Sequence, residues 1–100
     1  MEHHVYFWLT EEHQNEADLA TFEAGLDALC ESPNISVHHW GKPAATAVRP
    51  VTDNSFDYAL SLKFDTMESH DRYQENDSRH DEFVNTFKEW WAKALVMDVA

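Results

Sequence analysis

Apolar residues recur at every second position, then every third or fourth, then every second again, and the chain runs through this change twice. Residues 3–10 (HHVYFWLT) set Val5, Phe7 and Leu9 on one side and His4, Tyr6 and Trp8 on the other, the period of a strand. Both sides are bulky, as in a strand covered on both faces. A helix follows. Asn15 is suited to cap it, with Asp18 at the third helical position, and Leu19, Phe22, Leu26 and Leu29 form its apolar stripe. It should stop before Ser32-Pro33-Asn34, because a residue preceding proline avoids helical geometry. Gly25 inside this helix costs about 1 kcal/mol relative to alanine. Close approach by a large neighbour would explain it, and Tyr6 or Trp8 is the expected neighbour.

Residues 35–40 (ISVHHW) form the second predicted strand, ending at Gly41. From Lys42 to Ser55 the composition is that of a loop. Residues 56–64 give the cleanest alternation, with Phe56, Tyr58, Leu60, Leu62 and Phe64 on one side. Asp65 and Glu68 are read as a capping pair for a short helix that ends near Gln74. After the polar break 75–79, Ser78 is read as the cap of a longer helix striped by Phe83, Val84, Phe87, Trp90, Trp91 and Ala94. Residues 95–99 close the chain as a fourth strand.

The order βαβ-βααβ predicts an α+β fold over residues 1–100 as one domain. Right-handed crossovers turn it into a four-stranded antiparallel sheet with the helices on one face, the ferredoxin-like arrangement. Alternation leaves Val5, Phe7 and Leu9 for the face without helices. A second copy of the chain is the expected cover for that face, giving a homodimer.

Composition narrows the partners. Nineteen acidic against seven basic residues give a net charge of −12, which repels polyanions. Neither nucleic acid nor an anionic membrane is expected as a partner. Cys30 is the only cysteine, so no internal disulfide forms. With no long apolar run, a cytoplasmic location is the expectation. The pairs His3-His4 and His38-His39 point to opposite faces of their strands, and no HxH or HExxH spacing occurs. No metal and no cofactor is expected.

Several pieces in order resemble one known family. They are His4-Val5 opening the first strand, Pro33 followed by Trp40-Gly41, the strand from Tyr58 to Phe64, then Tyr73, then His80 with Phe83, and the tail from Trp91 to Asp98. This set resembles the stress-responsive A/B barrel domain, also called the dimeric α+β barrel or Dabb family. The resemblance implies a homodimer whose two sheets pack into a barrel with the helices outside. Most members have no established reaction. Members that cyclise polyketides use a cavity between sheet and helices, with a Tyr and a His moving protons. By position the pair is Tyr73 and His80, and the cavity wall is His4, Tyr6, Trp8, Tyr58, Leu60 and Trp91. The chain departs from the pattern at one place: Asn76-Asp77 stands where a His-Pro dipeptide is usual, and His80 comes one residue later than in the family.

Two functions stay open. One is a barrel protein without a reaction of its own that binds a small apolar or aromatic molecule between sheet and helices. The other is a cofactor-free enzyme, cyclase-like or monooxygenase-like, with His80 as general base and Tyr73 as hydrogen-bond donor. Against this stands a His and a Tyr that satisfy each other within a core. His4 carries the same ambiguity, between lining a pocket and capping the sheet edge.

Overall fold

In the computed structural model, residues 1–100 form four strands and three α-helices. They are β1 (Glu2–Leu9), α1 (Glu16–Leu29), β2 (Val37–Gly41), β3 (Tyr58–Lys63), α2 (Met67–Glu75), α3 (Ser78–Phe87) and β4 (Trp91–Val99), with a 3-10 turn at Glu11–His13. The strands lie in the order β2-β3-β1-β4, and every neighbouring pair is antiparallel. This is the expected ferredoxin-like sheet. No helix is long and apolar enough to cross a membrane.

One buried cluster joins β1 and β3 to all three helices. It holds Val5, Phe7 and Leu9 from β1, Tyr58, Leu60 and Leu62 from β3, and Phe22, Leu26, Tyr73, Phe83 and Phe87 from the helices. The core therefore corrects the expected orientation of β1. Val5, Phe7 and Leu9 point to the helices, while His4, Tyr6 and Trp8 lie half-buried on the open face. Alternation fixes which residues share a face; it does not say which face meets the helices. The physical reason is visible in the side chains. His4, Tyr6 and Trp8 carry polar atoms that tolerate partial exposure, and the aliphatic and phenyl groups do not.

Three local expectations also change. Thr66, not Asp65, caps α2, its hydroxyl accepting from the Ser69 N–H at 3.1 Å. Asp77, not Ser78, caps α3 through Arg79 N–H at 2.9 Å and His80 N–H at 3.3 Å. The helical stripe read through to Ala94 breaks at Lys88, the C-cap of α3. β4 begins at Trp91, four residues earlier than expected, and a bulge at Ala92 of β4, facing the step from Trp8 to Leu9, sets Leu9 opposite Trp91. Aromatic spacing from Phe83 to Trp91 fits a helix as well as a turn into a strand, and pairing with β1 decides in favour of the strand.

The expected caps and close contacts are partly in place. Asn15 caps α1 by accepting from the Asp18 N–H at 2.9 Å. Gly25 does sit under a large neighbour, but the neighbour is Phe87 on α3: a Cβ at Gly25 would lie 2.7 Å from Phe87 Cζ. Phe56 leaves the core and packs on the open face against Tyr6, ring centroids 5.3 Å apart. The connection after β2 has no regular structure until Tyr58. Asp57 pins its end, accepting from the Leu9 N–H at 2.7 Å and the Gln14 amide at 3.1 Å.

Candidate functional site

Between the sheet and helices α2 and α3 lies a cavity of about 290 Å³. Its wall is mostly apolar and includes Leu60, Trp91 and Val96, with three polar side chains of interest, His3, Tyr73 and His80. Tyr73 sits near the end of α2 and His80 in the first turn of α3. The break between these helices determines their meeting. Asn76 leaves helical geometry with φ −151° and ψ 57°, and Asp77 restarts the helix as a cap. The same Asp77 carboxylate accepts from the Ser32 hydroxyl and from the Asn34 side-chain amide, so the break is tied to the α1–β2 connection. Burial pushes the Asp77 carboxyl up, but these hydrogen bonds outweigh it and hold the group below the usual carboxylate value. The Tyr73 and His80 ring centroids are 4.6 Å apart, with planes inclined by 58°.

The two rings suit proton chemistry. Burial pulls the His80 imidazole below its ordinary value, against the raising effect of Asp81 and Asp77. Neutral imidazole, the basic form, therefore predominates at neutral pH. Its Nδ1 is buried without a hydrogen-bond partner in the chain, and Asp81 Oδ1 stays 3.9 Å away. Burial pushes the Tyr73 phenol up, with Asp77 adding to the effect, so the hydroxyl keeps its proton as a donor. Trp91 Nε1 is a second buried polar atom without a partner. A buried polar group left unmade costs about 1–3 kcal/mol, so these two sealed atoms are a local cost carried by residues that line the cavity.

A further histidine faces the helices. His3 is buried, and its register places it opposite Asp98 on β4. His3 Nδ1 lies 2.5 Å from Asp98 Oδ1, and the Gln74 amide nitrogen is 3.5 Å from His3 Nε2. Burial lowers the His3 pKa, and the Asp98 hydrogen bond only partly offsets it. The His70 ring on α2 stands 5.3 Å from His3, centroid to centroid.

Of the residues expected around the cavity, Tyr73, His80, Leu60 and Trp91 line it together. Tyr58 faces the same side of the sheet but is packed in the core, its hydroxyl donating to Glu23 Oε2 at 2.6 Å. His4, Tyr6 and Trp8 are excluded by the orientation of β1. His4 lies 3.2 Å from Glu2 Oε1, Trp8 Nε1–H donates to Ser55 Oγ at 3.0 Å, and Lys93 sits 4.7 Å over the Trp8 ring. Sequence reasoning missed His3, His70 and Asp98. The available signal was that adjacent strand residues face opposite ways, so one of His3 and His4 had to face the helices.

Tyr6, Trp8, Phe56, Leu95 and Met97 line a shallow groove on the open face of about 220 Å³. Val37 and Val99 lie at the two edges of this face, 58% and 52% exposed.

Solved structures place the fold among known ones. A hydroxynitrile lyase from Passiflora edulis superposes with a TM-score of 0.78 at 18% identity, covering 96% of this chain and 87% of that one. A Dabb family protein with a ferredoxin-like fold from Mesorhizobium loti gives 0.75 at 17%, covering 99% and 93%. A dimeric ferredoxin-like protein of unknown function from Thermobifida fusca gives 0.77 at 15%, covering 99% and 88%. At these identities the likeness shows the fold alone. No curated protein matches the sequence. The family model for the stress responsive A/B barrel domain matches residues 1–100, and the chain belongs to that family.

Proposed function

We propose that the cavity binds a small, largely apolar carbonyl compound and that His80 and Tyr73 move a proton on it without a cofactor. The observation that carries this reading is the Tyr73–His80 pair, 4.6 Å apart on the wall of one cavity. In the reaction, the neutral His80 imidazole removes a proton from the carbon next to the carbonyl. The C–H electron pair moves into an enolate, whose oxygen accepts a hydrogen bond from the Tyr73 hydroxyl. The imidazolium then returns the proton to carbon or to oxygen. A space of about 290 Å³ suits one substituted ring, since a cavity of about 150 Å³ already holds benzene. That modest volume supports a second reading, in which the cavity binds such a molecule and does nothing further to it.

Exchange of the methyl protons of acetophenone in deuterated buffer, followed by proton NMR, tests the reading. Exchange should exceed the buffer rate, and His80→Gln should lower the enzymic part by about 10²–10⁴. Tyr73→Phe should lower it while leaving binding nearly intact. Binding without exchange leaves only the second reading, and no binding removes both.

The working unit we propose is a homodimer closed through the open faces of two sheets. The apolar groove around Tyr6, Trp8 and Leu95 supports it, as do relatives of this fold described as dimeric. Light scattering at micromolar concentration should give twice the chain mass of 11.6 kDa, and Leu95→Glu should return it to the monomer value. A wild-type monomer refutes the proposal.

A further inference from the structure

Three side chains from three different elements converge beside the cavity, apart from the Tyr73–His80 pair. His3 on β1, His70 on α2 and Asp98 on β4 each offer one ligand atom, and these atoms all lie within 4.8 Å of one another. We propose that they form a three-ligand site for a divalent transition ion of the Zn²⁺ or Co²⁺ kind.

The donor set argues for this class of ion. Two imidazoles and one carboxylate suit borderline metals, whereas Ca²⁺ and Mg²⁺ take oxygen ligands. Three protein ligands leave at least one position open, the arrangement of a reactive site and not of a closed structural one. The supporting contacts are also present. His70 Nδ1 lies 3.1 Å from Asp71 Oδ1, so the carboxylate holds the ring and leaves Nε2 for an ion. The β1–β4 register fixes His3 across from Asp98. The 2.5 Å contact between His3 and Asp98 is tighter than two ligands of one ion allow. It has room to widen, because the Asp98 side chain is 44% exposed near the end of an edge strand. On binding through that nitrogen, the ion displaces the proton shared by His3 and Asp98, and the proton leaves to solvent. A chain of net charge −12 draws cations towards it. His3 also lines the cavity, so the ion would stand at the cavity wall. The site does not depend on whether the cavity carries out proton transfer.

The test is a Co²⁺ titration of the untagged full chain after chelator treatment, watched by visible d–d absorption, with Zn²⁺ competition by calorimetry. We expect one ion per chain, displaced by Zn²⁺. His70→Ala and Asp98→Asn are chosen because neither side chain belongs to the buried hydrophobic cluster, and the urea midpoint of each variant checks that it stays folded. Each should weaken binding at least about tenfold. His38→Ala and His39→Ala, which lie on β2 outside the cluster, should bind as the wild type does. Binding that survives both cluster substitutions, that is lost equally in the β2 variants, or that never gives a d–d band overturns the site and leaves His3–Asp98 as a hydrogen-bonded pair only.

Discussion

Replacing Gly25 by alanine should destabilise the protein, although alanine is the better helix former. In an exposed helix the change would gain about 1 kcal/mol. Here the new methyl carbon would stand 2.7 Å from Phe87 Cζ and closer still to Cε2, well inside van der Waals contact. The ring is held on its core side, where Phe22, Phe83 and Trp90 lie against it with centroids at 5.0, 5.1 and 4.9 Å, and its only room to move is towards the groove between α1 and α3 that Gly25 and Phe87 line. Forcing a methyl group into a filled core costs about 1–3 kcal/mol. The net effect is a loss of about 1 kcal/mol, or roughly 4–8 °C in melting temperature for a chain of this size. Urea and thermal denaturation at fixed protein concentration would measure it, since dimer formation makes melting depend on concentration. The decisive control is the same substitution in a Phe87→Leu background. With the ring gone, Gly25→Ala should become stabilising by about 1 kcal/mol. A gain in the wild-type background, or no change of sign between the two, would show that Phe87 is not the reason for glycine at this position.

Asp77→Ala removes a helix cap and leaves the buried Ser32 hydroxyl without its acceptor. The cap accounts for about 1 kcal/mol and the orphaned polar group for about 1–3 kcal/mol, so the urea midpoint should fall markedly and further than for Asp77→Asn. A drop below about 0.5 kcal/mol refutes the tie between the helix break and the α1–β2 connection. Stability should also depend on pH near neutrality. His3 and His80 both titrate below the ordinary 6.5 when folded, because burial disfavours their cations. As the pH falls, the unfolded chain takes up these protons first. Stability is therefore complete above about pH 6.5 and declines below it, towards the folded values. Urea midpoints at pH 7.5 and 5.5 should differ, and His80→Gln should narrow the difference; an unchanged difference refutes the role of His80. The carboxylates held low by hydrogen bonds, Asp18 and Asp77 among them, act in a separate window below their ordinary 3.8.

Much of the fold was legible because periodicity is a local signal. Strands β1 and β3 and helix α1 could be read from the spacing of apolar residues, the Asn15 cap from its side chain, and the helix break after α2 from the polar run 75–79. What periodicity leaves open is the sign of a face. Val5, Phe7 and Leu9 could be told from His4, Tyr6 and Trp8, but only packing against Phe22 and Phe83 says which set the helices cover. The start of β4 was hidden for a related reason. Phe83, Phe87 and Trp91 fit a helical stripe, and the bulge that draws Trp91 opposite Leu9 is a contact between distant parts of the chain. In the site, Tyr73 and His80 were legible through family resemblance. The cluster of His3, His70 and Asp98 was not, because its members are far apart in sequence and meet only through strand register and helix docking.

The consecutive histidines of β1 give the protein two built-in reporters. His3 looks into the space under the helices and His4 onto the bare side of the sheet, one peptide bond away. Their imidazole Cε1–H resonances should therefore answer to different events. A molecule entering the cavity would shift the first, and assembly of two sheets would shift the second. One isotope-labelled sample could then follow both processes at once, and a signal that moved in both would show that the strand itself carries strain from one compartment to the other.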